Sequence, residues 1–260
     1  MKTYEELLSD IEDDMELMGS SHIIYLMEEN GIITDYDYLP SDSYTISSTL
    51  KDLQDRLQQK ILFDKASCYG NHSGKNGRKL AVIFPGIGYT ADKPLLYYSV
   101  RLARHYNYEI KIVSYSSLPQ NVKGDPEKIR QTFDIAYGQT ETFLNDTDWN
   151  LYDSVLFISK SIGTVISSAY AARHNVTVKS ILFTPLTDTF SFPQPGSIAF
   201  HGTSDPWAET SSIQSLAAQK KIPLFLTEKA NHSLETGNVK TDLSVLKTTM
   251  ERVERFIAES

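Results

Sequence analysis

Length, composition and charge limit the classes of protein to which this chain can belong. The 260 residues are 40% hydrophobic and 22% charged, which is the composition of a globular protein with a sizeable core. The sequence has no run of about 18 apolar residues for a membrane span, and its acidic N-terminus lacks the apolar core of a signal peptide. The single cysteine, Cys68, excludes an internal disulfide framework. We therefore expect a cytoplasmic protein without a membrane partner.

The charge is distributed unevenly and marks a boundary near residue 60. Residues 1–60 hold 14 acidic side chains against 4 basic ones, whereas residues 61–260 hold 19 against 21. We predict an acidic N-terminal extension over residues 1–60 and a larger domain over residues 61–260. The extension is unsuited to nucleic acid, because contacts with phosphate groups require basic side chains.

The extension is predicted to be helical. Apolar residues recur at helical spacing at Tyr4, Leu7, Leu8, Ile11, Met15 and Met18. Further helices are predicted over residues 22–29 and 47–59. We expect their apolar faces to pack on the larger domain, and the alternative is a surface for a protein partner. A related hypothesis is that these helices form a lid over the functional site.

From residue 61 onward, predicted strands alternate with predicted helices. The strands cover residues 61–63, 79–84, 109–115, 154–158, 180–184, 197–201 and 224–226. The helices cover residues 93–105, 126–144, the segment from the strand at 154–158 to about residue 173, 209–220 and 241–257. Continuous apolar strands separated by helices predict an α/β fold, with a mostly parallel sheet covered by helices on both faces.

The junction at residues 159–163, SKSIG, joins a buried strand directly to a helix. A phosphate loop of the Walker type requires glycines before the Lys-Ser pair, and residues 154–159 contain none. An ordinary serine N-cap remains open as an interpretation. The other interpretation is a strained turn that presents Ser161 as a nucleophile, with small residues two positions before and after it. Ser159 and Gly163 meet that requirement, although glycine is usual at the position of Ser159.

A serine nucleophile on such a sheet requires an acid and then a histidine after later strands. Asp205 follows the strand at 197–201, and His232 follows the strand at 224–226. The three loops leave the same edge of a parallel sheet, so we expect these side chains to converge with Ser161 as a catalytic triad. Asp188, after the strand at 180–184, is the reserve candidate for the acid.

An oxyanion hole for this nucleophile requires two backbone N–H donors. The residue after the nucleophile, Ile162, supplies one, and the loop after the third strand of such a sheet supplies the other. That loop has the sequence PGIGY at residues 85–89, in which two glycines allow the backbone to turn its amides toward a bound oxygen. We assign the second donor to Ile87, with Gly88 as the nearby alternative.

Residues 79–260 resemble the α/β-hydrolase superfamily in four motifs that occur in order at strand ends: VIFPGIGYT, FISKSIGT, FHGTSDPW and KANHSLE. The chain looks like the small, uncapped serine hydrolases of the dienelactone-hydrolase and esterase type. The resemblance implies cleavage of a small-molecule ester or thioester through an acyl-enzyme on Ser161, with no cofactor. No cluster of histidine and cysteine indicates a metal site. The alternatives are an acyltransferase or thioesterase with the same triad, and a non-catalytic hydrolase-like binding protein.

Aromatic residues on loops near the predicted site are candidates for an acyl pocket. They are Tyr89, Phe190, Phe192 and Trp207, and simple packing is the alternative for each. About a dozen residues separate the strands at 180–184 and 197–201, so we expect no large lid there and an open pocket.

Two further residues lie close to the predicted site. Lys160 is either a solvated side chain or a cation that favours anionic substrates. His201, at the end of a buried strand, is expected to be a packed or hydrogen-bonded core residue.

Overall fold

The computed structural model describes residues 77–193 and 195–259. The predicted acidic helices, the strand at residues 61–63 and the boundary near residue 60 lie outside the described residues. Within the described part, no helix is both long and apolar enough to span a bilayer.

In the part of the chain that the structure describes, six strands form one parallel sheet. In chain order they are β1 (Lys79–Phe84), β2 (Tyr108–Ile112), β3 (Ser154–Lys160), β4 (Lys179–Phe183), β5 (Ser197–Gly202) and β6 (Leu224–Thr227). Their order across the sheet is β2-β1-β3-β4-β5-β6, and every neighbouring pair is parallel. The predicted parallel α/β architecture is therefore confirmed.

Within residues 77–193 and 195–259, five helices connect or follow these strands. They are α1 (Pro94–His105), α2 (Pro126–Leu144), α3 (Ile162–Arg173), α4 (Thr210–Gln219) and α5 (Val239–Ala258), with short 3₁₀ helices at Trp149–Leu151 and Thr187–Ser191. The start of α2 shows why the helix ends were predictable. The Lys128 N–H donates to the Asp125 carboxylate at 3.1 Å, and Pro126 occupies the first turn, where a missing N–H costs nothing.

The strand predicted at residues 109–115 is shorter in the structure. β2 begins one residue earlier, at Tyr108, and ends at Ile112. Among the six described strands it lies at the edge of the sheet and pairs only with β1, which ends at Phe84 before Pro85. The N–H of Val113 makes the last bond, to the Ile83 carbonyl at 3.0 Å, and among the described residues no strand pairs with those that follow.

Side chains alternate between two apolar layers, one on each face of the sheet. On β3, Leu156 and Ile158 pack with α1 and α5, whereas Val155 and Phe157 pack with α2 and α3. A third cluster packs α4 against β4 and β5. Burial on both faces explains why the strands are continuously apolar rather than alternating.

The chain reverses its winding between β1 and β3. After β1 it passes to β2 on one side, and then it returns to place β3 on the other side of β1. Loops that leave the carboxyl ends of the two strands at such a point diverge to opposite faces, which opens a crevice where ligands bind in open α/β sheets. The PGIGY loop follows β1 and Ser161 follows β3, so both lie at this crevice.

Two glycines permit close approaches of the backbone at this edge of the sheet. A Cβ on Gly163 would lie 2.2 Å from the Phe84 carbonyl oxygen, so α3 can start against the end of β1 only without a side chain there. A Cβ on Gly202 would lie 2.3 Å from the Ala230 carbonyl oxygen. The end of β5 can therefore approach the loop after β6 this closely only because residue 202 has no side chain.

The first prediction tests the close approach at Gly163. We expect Gly163→Ala to lower the free energy of unfolding by at least about 2 kcal/mol, because the backbone must move to admit the methyl group. Gly138→Ala is the control: Gly138 is exposed within α2, and its Cβ would meet no atom within 4 Å. This control should gain about 0.5–1 kcal/mol from the better helix propensity of alanine. Urea unfolding measures both changes, and equal effects would contradict the role given to Gly163.

Candidate active site

Ser161 lies in the turn between β3 and α3, in a backbone conformation that residues other than glycine rarely adopt. Its φ is 57° and its ψ is −125°, and such positive-φ geometry is retained only where the surrounding structure enforces it. The Ser161 side chain makes no capping bond to α3. The N-cap interpretation therefore does not explain this serine, and its hydroxyl group is turned away from the helix.

The residues on either side of Ser161 are accommodated as the sequence predicted. Gly163 packs against the end of β1, as described above. Ser159 is fully buried, and its hydroxyl donates to the Ile181 carbonyl at 3.2 Å. The serine that replaces the usual glycine at this position thus has a hydrogen-bond partner inside the sheet.

The structure brings Ser161, His232 and Asp205 together in one line of hydrogen bonds. His232 Nδ1 lies 2.7 Å from Asp205 Oδ2, and His232 Nε2 lies 2.7 Å from Ser161 Oγ. A carboxylate can only accept, so Nδ1 carries the proton and donates to Asp205. Nε2 is then free to accept the hydrogen bond that the Ser161 hydroxyl donates.

The charge state of this line follows from its surroundings. Burial acts to raise the pKa of the Asp205 carboxyl, but hydrogen bonds from His232 and from the Trp207 N–H, at 2.8 Å, hold that pKa below its ordinary value. Burial holds the pKa of His232 below its ordinary value, although the bond to Asp205 acts to raise it. At neutral pH the carboxylate is therefore charged and the imidazole is a neutral proton acceptor.

A second imidazole contacts the same carboxylate. His201 is fully buried, as expected, with Nδ1 3.7 Å from Asp205 Oδ2 and Nε2 3.3 Å from the Thr210 hydroxyl. Burial lowers the pKa of His201, so this ring is also neutral at neutral pH. The sequence analysis placed His201 in the core but missed this contact. The signal was the four-residue spacing to Asp205 around the end of β5.

The loop predicted to complete an oxyanion hole forms a tight turn after β1. The N–H of Gly86 donates to the Tyr89 carbonyl at 3.1 Å, and the N–H of Tyr89 donates to the Gly86 carbonyl at 3.2 Å. Gly88 has a φ of 65°, which this turn requires of one central residue. A Cβ on Gly86 would lie 3.0 Å from Ser161 Cβ, so the turn lies directly against the nucleophile candidate.

The predicted donors lie on either side of this contact. The N–H of Ile87 is at the centre of the turn, and the N–H of Ile162 is in the first turn of α3, where backbone donors lack intrahelical partners. Within the described residues, neither N–H has a hydrogen-bond partner. Both are therefore available to a bound oxygen.

The aromatic candidates for the pocket have different positions. Trp207 is partly exposed, and its ring centroid lies 5.6 Å from that of His232, so it borders the site. Tyr89 is buried, and its hydroxyl accepts from the Leu95 N–H at 3.1 Å. The assignment of Phe190 to the pocket is wrong. The 3₁₀ helix directs this side chain inward, where it is only 2% exposed and packs with the cluster beneath α4.

A cavity of about 450 Å³ lies beside the site, next to Ile162. It is lined by α2, by residues at both ends of α3 and by the segment between β4 and β5. Its lining is mainly apolar and is formed by Pro126, Ile129, Arg130, Phe133, Ile162, Val165, Arg173, Leu186, Asp188, Ser191 and Phe192. Asp188, the reserve candidate for the acid, thus faces this cavity, while Asp205 binds His232.

Lys160 is not the solvated side chain that one interpretation of the sequence expected. It is only 1% exposed, and its Nζ lies 4.9 Å from the centroid of the Tyr89 ring. Burial lowers the pKa of its ammonium group to about 7, although the charge of Asp205 acts to raise it.

The buried histidines predict how stability depends on pH. An imidazole in the unfolded chain has a pKa of about 6.5 and that of folded His201 is lower, so the unfolded state binds protons more readily below this pH. The contribution of neutral His201 to the free energy of unfolding is therefore fully present above about pH 6.5, and it is lost as the pH falls toward the pKa of the folded state. We expect a flatter decline in His201→Gln, which retains an amide for Thr210. Urea unfolding at several pH values measures the slope, with the exposed His105→Gln as control, and an unchanged slope in His201→Gln would refute the assignment.

Comparison with known proteins supports the fold assignment. No family model matches the chain, and no curated protein matches it. Est1E from Butyrivibrio proteoclasticus with bound ferulic acid is similar in structure, with a TM-score of 0.52 and 12% identity over 70% of this chain and 88% of that chain. The Pyrococcus furiosus esterase Pf2001 is similar with a TM-score of 0.51 and 11% identity, over 71% of this chain and 83% of that chain. Together with the sheet order, these similarities show that the chain has the α/β-hydrolase fold predicted from its sequence.

Proposed function

We propose that the protein is a serine hydrolase that cleaves a small carboxylic ester or thioester through an acyl-enzyme on Ser161. The observation that carries this proposal is the unbroken path of hydrogen bonds from Ser161 through His232 to Asp205, with both bonds at 2.7 Å. A hydroxyl that donates to a neutral imidazole, itself held by a buried carboxylate, is the arrangement that activates a serine nucleophile. The non-catalytic alternative has no use for such a proton path.

In the proposed first step, Ser161 Oγ attacks the carbonyl carbon while its proton passes to His232 Nε2. The electron pair of the carbonyl double bond moves to oxygen, and the N–H groups of Ile87 and Ile162 donate to that oxyanion. Removing one such donor from a comparable enzyme costs on the order of 10²–10³ in rate. When the intermediate collapses, the bond to the leaving group breaks, and His232 gives its proton to the departing alkoxide or thiolate.

Water completes the proposed cycle. His232 accepts a proton from water as the water oxygen attacks the acyl carbon, and the bond to Ser161 Oγ then breaks as the proton returns to the serine. Asp205 stays ionised throughout and stabilises the imidazolium that forms twice in each turnover. Acyl transfer to another acceptor, the acyltransferase alternative, differs only in the molecule that replaces water. Alternative alcohol or amine acceptors in the assay therefore separate the two reactions.

The cavity beside Ile162 suggests which acyl groups fit. Its volume of about 450 Å³ lies within the range of about 300–1,000 Å³ for small-molecule sites. Most of its lining is apolar, and Phe133 and Phe192 contribute aromatic surface. The similar Est1E structure contains bound ferulic acid. We therefore assign medium-length aliphatic or aromatic acyl groups to this cavity.

Substitution of Ser161 tests the nucleophile. We expect Ser161→Ala to lower hydrolysis of p-nitrophenyl butyrate by at least about 10³-fold, because no other group forms the acyl-enzyme. The same variant should lose stoichiometric labelling by a fluorophosphonate probe, measured by intact-protein mass spectrometry. Ser204→Ala is the matched control, since this exposed serine lies one residue before Asp205. Full labelling of Ser161→Ala would reject the proposal.

Substitution of Val165 tests the acyl cavity. Val165 lines it from the first turns of α3, so Val165→Phe fills part of its volume. We expect kcat/KM to fall about tenfold or more for p-nitrophenyl octanoate and to change little for the acetate ester. The control is Leu243→Phe in a second cavity, of about 430 Å³, beside α5. If Leu243→Phe instead lost octanoate activity selectively, the result would indicate that the acyl group binds in that second cavity.

A further inference from the structure

Lys160 is the last residue of β3 and directly precedes Ser161. Side chains alternate along a strand, so Lys160 shares the face of Ile158, toward α1 and α5. Its side chain is almost fully buried, which is rare for lysine unless the ammonium group has a partner. Within the described residues, no carboxylate forms an ion pair with its Nζ.

The partner of the ammonium group is the face of an aromatic ring. Nζ lies 4.9 Å from the centroid of Tyr89, a distance at which the negative face of the ring attracts a cation. The stem of Lys160 lies beneath the same turn: a Cβ on Gly86 would be 3.5 Å from Lys160 Cγ and 3.2 Å from its carbonyl oxygen. Lys160 therefore supports the turn that carries the Ile87 N–H.

Three titratable groups interact electrostatically with this ammonium: Asp205 at the end of β5, Lys93 before α1 and the imidazole of His232 after β6. Further out, Lys123 acts on His232, His201 interacts with Asp205 and His232, and Glu235 acts on Tyr89. Asp205 is the acidic member that acts on Lys160 directly, and it already binds His232. The positive charge of Lys160 is thus not neutralised by a dedicated partner, and it acts on the neighbouring imidazole.

We propose that Lys160 is a positioning residue of this site, whose buried charge keeps His232 in its neutral, proton-accepting form and whose stem holds the oxyanion turn in place. The proposal rests on the proposed function, because it concerns activation of Ser161. A positive charge near an imidazole disfavours the addition of a second positive charge. With Lys160 charged, His232 therefore remains a base at lower pH than it otherwise would.

The charge on Lys160 is itself sensitive to pH. Burial lowers the pKa of this ammonium to about 7, so its charge is present below that pH and is lost above it. At acid pH, the reactivity of Ser161 is limited by protonation of His232, which takes place while Lys160 is still positively charged. On the alkaline side, loss of the cation removes the positive charge that contacts Tyr89 in the turn after β1, which carries the Ile87 N–H, so we expect reactivity to decline. An arginine in its place stays charged at every accessible pH.

The test is the pH dependence of the second-order rate constant for fluorophosphonate labelling of Ser161 in the full-length chain. In Lys160→Met we expect the midpoint of the acid limb to move to higher pH, because His232 is protonated more readily without the cation. Lys160→Arg should retain the acid midpoint and lose the alkaline decline. Lys93→Met is the matched control, since this exposed lysine lies 5.4 Å from the same Tyr89 ring, and its acid midpoint should not move.

Thermal unfolding checks that each variant is folded, and Lys160→Met should be at least as stable as the natural chain because it removes a buried charge. Lys160→Gln is the second neutral variant and should show the same shift. An unchanged acid midpoint in both neutral variants, with Ser161 still labelled, would overturn the role of Lys160 and leave the proposed function intact. Absence of labelling at Ser161 in the natural chain at every pH would overturn both proposals.

Discussion

A contact between backbones that admits no side chain fixes the position of Ser161. Helix α3 starts against the end of β1, with only the hydrogen of Gly163 between them, and β3 must therefore turn into the helix within one residue. Ser161 is that residue, and its positive φ is the consequence. The same contact brings the turn after β1 against Ser161, so the nucleophile candidate and the two free N–H groups beside it are positioned by one packing constraint rather than by separate features.

The charge states of the ionisable groups at this edge of the sheet depend on how deeply each group is buried and on its hydrogen bonds. Asp205 remains charged because its two oxygens accept hydrogen bonds from His232 and from the Trp207 N–H. Electrostatic interactions with the imidazoles of His232 and His201 also lower its pKa. Burial alone would favour the neutral form of every one of these groups. The structure thus keeps one negative charge where it orients a histidine, and it buries the side chain of Lys160, the residue before Ser161, against the ring of Tyr89.

The sequence predicted the sheet and the convergence of Ser161, Asp205 and His232 because both follow from local patterns. Continuous apolar strands define a parallel sheet, and loops after parallel strands meet at one edge. The errors concern the direction of individual side chains. Phe190 was assigned to the pocket because it lies on a loop, yet the turn of a 3₁₀ helix points it into the core. The interpretation of Lys160 as a solvated side chain is wrong because its contact with Tyr89 joins the end of β3 to the turn after β1, and no local sequence pattern relates these two segments.

The short connection between β4 and β5 helps to form the cavity beside Ile162. It contains the 3₁₀ helix Thr187–Ser191 and adds no separate lid over the site within the described residues. It still contributes Leu186 and Phe192 to the cavity beside Ile162, while α2 forms the opposite wall. The side chains that line this cavity are therefore carried largely by elements that also build the core. Under the proposed function, we expect the shape of this cavity to set acyl selectivity, which changes of side-chain volume on α2, α3 and this connection would alter.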